Sequence, residues 1–321
     1  MEARSRREQV HRMEFDVDWP PGHVACYFVA GPEPILVDAA LPAHERELRA
    51  SLNDQGFDVG DVEHLLITHP HVDHIGQVPT VLREANPTVY APVGVRDRFD
   101  RDVSELGTRV RRNCMEAGMA DEHVDGAVDM AVESLERNAS LLPTDAVDVW
   151  IEPGEPVDVG HLRCDPVHTP GHQADHLCYR TDIGGERALL AGDMAIEPFR
   201  PVVMHDGLDD GHRTAFDAFY AALDRLEKLD ADRIYPGHGP VHTDLQSTIE
   251  RDRDSLDHRL RCVVELLDGG LTTVPEIAVT LAGDRSVKYL VPEAMSALAH
   301  LERTGAVESH LEAGVRQYEN A

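Results

Sequence analysis

Apolar residues in this chain fall in short runs bounded by glycine and proline, and between these runs the apolar spacing widens to every third or fourth position. The runs at 24–29 (VACYFV), 35–38 (ILVD), 64–68 (HLLIT), 88–91 (TVYA), 147–151, 162–168, 176–181 (HLCYRT), 187–192 (RALLAG) and 233–235 predict strands. The wider spacing predicts helices over 43–55, 74–85 and 212–229. In the second of these, Ile75, Val78, Leu82 and Ala85 share one face, and Pro79 falls in the opening turns, where proline is tolerated. Strands alternating with helices define a mixed α/β (α+β) class.

Two stretches depart from this rhythm. Residues 96–142 are helical, rich in Arg and Met, and sit between two β-rich halves, so they read as an inserted helical pair. A connection this long without strands is commonly functional, for instance as a lid. Beyond 245 the pattern becomes helix 246–268, a Gly-Gly stop, helix 273–282, helix 291–304 and a hairpin turning near Gly314. The chain therefore divides into a large domain, 1–245, and a small winged-helix-like domain, 246–321.

The candidate chemistry lies where predicted strands end. HPHVDH at 69–74 follows the apolar run HLLIT. Imidazoles at alternate positions of an extended segment converge on one ion, while the carboxylate and the next imidazole turn toward another. Such a donor set suits zinc, and also iron or manganese. Three later loops add donors in the same manner: HTPGH at 168–172 presents His172, ALLAGD presents Asp193, and the strand leading into PGHG presents His238. Each alone reads as an ordinary turn residue. Their number and order do not.

The order HxHxDH, TPGH, GD, PGHG resembles the metallo-β-lactamase superfamily, including glyoxalase II and the lactamase-like endoribonucleases, over about residues 13–243. The resemblance implies an αββα sandwich with metals at one edge of two packed sheets. It implies that His69, His71 and His172 hold one divalent ion, that Asp73, His74 and His238 hold a second, and that Asp193 bridges them. A bridging hydroxide would then be the nucleophile, with Asp73 orienting it. The chain departs from the family at Asp38-Ala39-Ala40, where Asp-Thr-Gly is usual, and at Gly76-Gln77, where a Gly pair is usual. His71, where flavodiiron relatives carry Glu, argues against oxygen or nitric oxide reduction. Asp38 is expected to orient ligands from behind, while His168, Asp175 and His176 either do the same or make ordinary structural hydrogen bonds. His205, Asp206 and His212 follow Asp193; they either border the substrate or, as is favoured, belong to an ordinary acidic, His-rich loop.

Composition narrows the partners. Fifty-nine acids against 30 bases give a formal charge of −29, spread along the chain, and the lysines are Lys228 and Lys288 alone. This reads as adaptation to high salt, with a specifically cationic partner as the other account. The five scattered cysteines read as reduced, buried thiols. A charged N-terminus and the lack of a long apolar window make the cytoplasm the default and exclude a membrane role. The 96–112 window runs the other way, with six arginines (Arg96, Arg98, Arg101, Arg109, Arg111, Arg112) against four acids. Either it pairs with Asp97, Asp100, Asp102 and Glu105 along the helix surface, which is favoured, or Arg111 and Arg112 hold an anionic substrate group. Residues 271–321 carry four bases against seven acids, a poor footprint for nucleic acid. That segment reads better as a unit shaping the cleft or a contact within a homo-oligomer. The leading expectation is a dinuclear metal hydrolase of a small acyl substrate, a thioester or lactone. The alternatives are a metal-dependent endoribonuclease, or a nucleic-acid-binding protein with a vestigial site.

Overall fold

The computed structural model describes residues 9–198, 200–205, 207–283 and 290–321. In the first half, β1 (Gln9–Asp16), β2 (His23–Ala30), β3 (Ile35–Val37), β4 (His64–Leu66), β5 (Thr88–Pro92) and β6 (Val149–Ile151) lie side by side in chain order. The first three pair antiparallel, and β3 through β6 pair parallel. In the second half, β7 (Val157–Val159), β8 (Leu162–His168), β9 (Leu177–Ile183), β10 (Glu186–Gly192) and β11 (Arg233–Pro236) form the other large sheet, parallel only between β10 and β11.

Helix α1 (Glu45–Asp54) follows β3, while α2 (Val72–Ile75) and α3 (Val78–Ala85) follow β4. The insertion contains α4 (Val93–Phe99), α5 (Val103–Glu116) and α6 (Asp121–Leu141). Helix α7 (Ala215–Leu226) precedes β11, and α8 (Leu245–Asp268), α9 (Val274–Ala282), α10 (Leu290–Arg303) and the hairpin β12 (Val307–Glu312)–β13 (Val315–Asn320) end the chain. No helix of the described residues is long and apolar enough to cross a membrane.

Period-two alternation sorts each strand between layers. Ala25, Tyr27 and Val29 of β2 meet Leu177, Tyr179 and Leu190 of the second sheet in the central core. Their neighbours Val24, Cys26 and Phe28 face the other way, onto Leu48 and Leu52 of α1 and Val78 and Val81 of α3. On the far side Cys178, Leu189 and Ile234 pack against Phe216 and Phe219 of α7. The layers are α, β, β, α. That last cluster continues without interruption through Leu256 and Val263 of α8, Ile277 of α9, Leu298 of α10 and Tyr318 of β13. The C-terminal helices thus share apolar packing with the second sheet.

Several boundaries differ from the sequence reading for physical reasons. The helix expected over 74–85 is broken at Gly76-Gln77. A Cβ at Gly76 would lie 2.3 Å from the Leu41 carbonyl carbon and the Pro42 nitrogen, so this position accepts only glycine. Gln77 caps the same crossing, its Nε2 donating to the Leu41 and Pro42 carbonyls at 2.8 and 2.7 Å. The unusual glutamine thus replaces the second glycine with a hydrogen-bonded strut. β1 was not expected, because QVHRMEFD is an edge strand with only two buried positions, Met13 and Phe15. The helix expected from 212 begins at Ala215 after a 3-10 turn at Asp210–Thr214.

The arginine window also differs in its partners. Arg96 and Arg109 do meet Asp97 and Glu105, each at 3.8 Å. The stronger pairs reach across the fold: Arg98 to Asp175 and Gln173, Arg101 and Arg109 to Asp209, Arg112 to Asp210 and Arg111 to Asp125. The helical insertion is therefore riveted to the 172–176 and 209–210 loops.

Candidate metal centre

Each donor stands just past the C-terminal end of a strand, where backbone pairing stops and a side chain can turn outward. β4 delivers Thr68 through His71, and His71 is the extended residue that opens α2, which carries Asp73 and His74. His172 lies between β8 and β9, Asp193 directly after β10, and His238 after β11. The donor atoms of His69, His71, His172 and Asp193 lie within 4.8 Å of one another, and so do those of Asp73, His74 and His238. Asp193 faces both groups: Oδ2 is 3.2 Å from His172 Nε2 and 3.4 Å from His238 Nε2, and Oδ1 is 3.1 Å from His74 Nε2. All seven expected ligands come together. Gly237 makes the closeness achievable, since a Cβ there would sit 2.6 Å from both Asp193 Oδ1 and His74 Cε1.

The polarity of the surrounding hydrogen bonds shows that these residues suit cations. His74 Nδ1 donates to Asp38 Oδ2 at 2.9 Å, His238 Nδ1 to the His23 carbonyl at 2.6 Å and His172 Nδ1 to the Val202 carbonyl at 3.2 Å. Those oxygens can only accept, so each neutral ring presents a bare Nε2 to the centre. His69 follows the same logic. Thr68 Oγ1 donates its proton to Asp38 Oδ2 at 2.8 Å, and so accepts from His69 Nδ1 at 3.0 Å. His71 Nδ1 then lies 3.1 Å from His69 Nε2 and 3.0 Å from His172 Nε2. Lone pairs crowd toward one point. His74 Nε2 and Asp193 Oδ1 are buried with no hydrogen-bond partner, a costly arrangement that a cation between them relieves.

The electrostatics split accordingly. Burial and the neighbouring imidazoles hold His69 well below the usual range, and burial with His172 takes His71 down to about 3. Burial works the same way on His172 and His176. At His238 burial pushes down, but Asp193 and Asp73 outweigh it and lift the ring to about 10. Burial also opposes charge at Asp73 and Asp193; the facing histidines overcome it, taking Asp73 to about 2 and Asp193 well below its ordinary value. The carboxylates thus draw protons onto His74 and His238 when nothing else neutralises them, the role a dication fills.

The expected supporting residues divide. Asp38, 3% exposed, accepts from Thr68 N and Thr68 Oγ1, both at 2.8 Å, and from His74. It holds this position with a φ of +58°, and Ala40 nearby adopts +43°, so the loop keeps a left-handed path without the family's glycine. His176 is buried between ligands, its Nε2 accepting from Asp193 N at 3.0 Å and its Nδ1 donating to Thr169 Oγ1 at 2.7 Å. His168 turns away and its Nε2 donates to the Ala174 carbonyl at 2.9 Å. His205 meets the ligand loop through its backbone, N donating to the His172 carbonyl at 2.8 Å. His212 is buried and bonded to the Asp209 carbonyl; Asp206 lies outside the described residues. None of the bonds of Arg111 or Arg112 reaches a ligand. They pair with Asp125 and Asp210 because those acids approach from other segments, a proximity invisible in local spacing. Two contributors were missed. His23 secures the PGHG loop twice, by its carbonyl and by Nε2 accepting from Gly239 N at 2.9 Å, and Asn138 of α6 donates to the Pro70 carbonyl. Neither carries a motif: His23 follows a Pro-Pro-Gly turn and Asn138 sits beside Arg137 in a polar stretch of helix.

Comparison with known proteins gives the same picture. A Caenorhabditis elegans "Beta-lactamase-like protein 2 homolog" is 25% identical over 74% of this chain and 61% of its own length, so the chain spans under two thirds of that relative. A hydroxyacylglutathione hydrolase of Rhodopseudomonas palustris (strain BisB18) is 26% identical over 81% of this chain and 80% of its own. The crystal structure of a metallo-beta-lactamase family protein from Thermus thermophilus superposes with a TM-score of 0.76 at 24% identity, covering 97% of this chain and 98% of that one. Residues 19–238 match the family profile described as the metallo-beta-lactamase superfamily. With that match over most of its length, the two His/Asp clusters in place and the α-β-β-α layering, this chain belongs to the metallo-beta-lactamase superfamily of metal-dependent hydrolases.

Proposed function

We propose that the chain is a dinuclear hydrolase of small acyl compounds, thioesters or lactones, with zinc as its metal. The observation that carries this reading is Asp193, whose two oxygens face ligands of both groups at 3.1–3.4 Å, the position of a bridge between two ions. His69, His71 and His172 would hold one ion, and Asp73, His74 and His238 the other. Bound there, a pair of dications lowers the pKa of water toward about 7 and polarises the acyl oxygen.

The chain's own groups do the rest. Asp38, His176 and His23 keep the ligand rings and carboxylate aimed. Asp73, whose carboxylate faces His238 at 3.3 Å, would accept a hydrogen bond from the water and so orient it. No Ser or Cys nucleophile is required; Cys26, Cys114, Cys164 and Cys178 are buried, with burial raising their pKa. The hydroxyacylglutathione hydrolase relative supports a thioester, since glutathione is a thiol. Polyanionic RNA is disfavoured, because the insertion's arginines are already paired with Asp125, Asp175, Asp209 and Asp210, and the C-terminal segment is acidic.

The test is metal analysis with a panel of thioesters, lactones and single-stranded RNA, in molar salt. Close to two equivalents of zinc, with thioester or lactone turnover lost to chelator and restored by zinc, is expected. Chelator-sensitive RNA cleavage without acyl turnover would replace this reading with the endoribonuclease, and tight nucleic-acid binding without any turnover would favour a vestigial site.

A further inference from the structure

His172 is oriented from behind by the Val202 carbonyl, which belongs to an irregular segment between β10 and the turn at Asp210–Thr214. Irregular backbone has no ladder of its own and takes its bonds from elsewhere. Here the partners come from the C-terminal helices. Arg251 of α8 donates through Nη2 to the Ile196 carbonyl at 2.7 Å, and its Nη1 lies 3.0 Å from Glu197 Oε1. Thr248 Oγ1 lies 2.8 Å from the same Glu197 oxygen. Arg259 of α8 donates to the Pro201 carbonyl at 2.6 Å, one residue before Val202. Glu293 of α10 holds that guanidinium at 3.3 Å and also meets Arg200 at 3.1 Å.

We infer that Arg259 is a positioning residue of the metal centre, acting through Pro201 and the Val202 carbonyl on the ring of His172. The inference rests on the metal-centre reading above. Arg259 is only 7% exposed, and Glu293 6%. A buried ion pair of this kind adds little net stability compared with apolar side chains of the same volume. What it supplies is direction: a planar donor fork fixes the Pro201 peptide and, through it, the next carbonyl. The C-terminal helices are on this account part of the active centre's supporting frame, not an appendage carrying a separate task. The outer partners of metal-bound imidazoles set ring orientation and typically contribute about 10- to 100-fold in metal affinity.

The experiment uses the full chain. Arg259→Met combined with Glu293→Gln removes both charges together and keeps volume, so no buried charge is stranded. Zinc affinity is measured by competition with a chromophoric chelator, the visible spectrum is taken with cobalt in place of zinc, and thermal unfolding is measured on the metal-free protein. The expected result is zinc bound about tenfold more weakly at one site, a shifted cobalt spectrum and a metal-free unfolding temperature close to the parent's. Arg259→Lys, which keeps a donor for Pro201, should recover most of the affinity. Should the double variant fail to fold, Arg259→Gln with Glu293→Gln, polar, uncharged and too short to reach the Pro201 carbonyl, takes its place, with weaker zinc binding expected. Parental affinity and cobalt spectrum in either folded variant overturns the inference. A parent chain that binds no zinc would instead sink the metal-centre reading, and this inference with it.

Discussion

Asp38→Asn turns one acceptor of the centre into a donor and leaves the backbone undisturbed. The residue holds φ at +58°, a left-handed conformation that asparagine tolerates at least as well as aspartate. Volume is unchanged, and Oδ1 can still accept from Thr68 N at 2.8 Å. The other oxygen now becomes an NH2 group, a donor that faces the Nδ1–H of His74, 2.9 Å away in the parent, and the Thr68 hydroxyl, 2.8 Å away. Two donors in contact cannot both be satisfied. Either His74 moves its proton to Nε2, which removes its lone pair from the ion, or the ring swings away. Loss of such a partner behind a metal-bound imidazole costs about 10- to 100-fold in affinity, or about 1.4–2.7 kcal/mol. The Thr68 hydroxyl can turn its own proton aside and accept from the new NH2 while still accepting from His69, but the His74 N–H has no such freedom, so the effect should fall mainly on the ion proposed for Asp73, His74 and His238. In a chelator titration the variant should release one zinc equivalent early and keep the other near parental affinity, with acyl turnover falling in step with the first. Two ions retained at parental affinity would refute the tautomer argument, since no structural slack absorbs a donor at that position.

Gly237→Ala should weaken binding of both ions, by about 10- to 100-fold, because its Cβ would sit 2.6 Å from Asp193 Oδ1 and His74 Cε1; metal analysis at limiting zinc reads this directly. Asp252, 3% exposed, has its carboxyl lifted by burial to about 6 against an ordinary 3.8. A raised folded-state pKa means stability that is present below about pH 4 and lost as pH rises through about 6, so Asp252→Asn should gain up to about 2–3 kcal/mol over the parent at about pH 7–8 and nothing near pH 4. Urea unfolding across that range checks it; a gain independent of pH would contradict the assignment. With a formal charge of −29, the unfolding midpoint should climb as KCl is raised from about 0.1 to 2 M, most steeply at the low end, where screening changes fastest. A midpoint indifferent to salt would discount the reading of the charge as salt adaptation.

The clustering of the candidate donors was legible because each hangs within a few residues of a strand end, and strands announce themselves by short-range alternation. HPHVDH, HTPGH, ALLAGD and PGHG are all local patterns. What aims those donors was not legible, because it depends on backbone atoms and on segments far apart in the chain. The Val202 carbonyl behind His172 has no residue type, and His23 meets Gly239 across 216 positions. The arginine window shows the same limit. Counting charges along helix α5 suggested Glu105 and its neighbours as partners, yet Asp209 and Asp210 take Arg109 and Arg112 because α5 packs against their turn. The layering followed from alternation, whereas the edge strand β1, with two buried positions, gave too faint a signal.

Each donor group is drawn from loops of both sheets: His69 and His71 with His172 and Asp193, and Asp73 and His74 with His238. Cations held there would act as a clasp across the seam between the halves of the molecule, and any metal that binds only the folded chain raises its stability in proportion to the logarithm of its concentration. Starved of metal, the protein should part first along this edge, making the supply of zinc in its surroundings a control on how long the folded molecule survives as well as on its turnover.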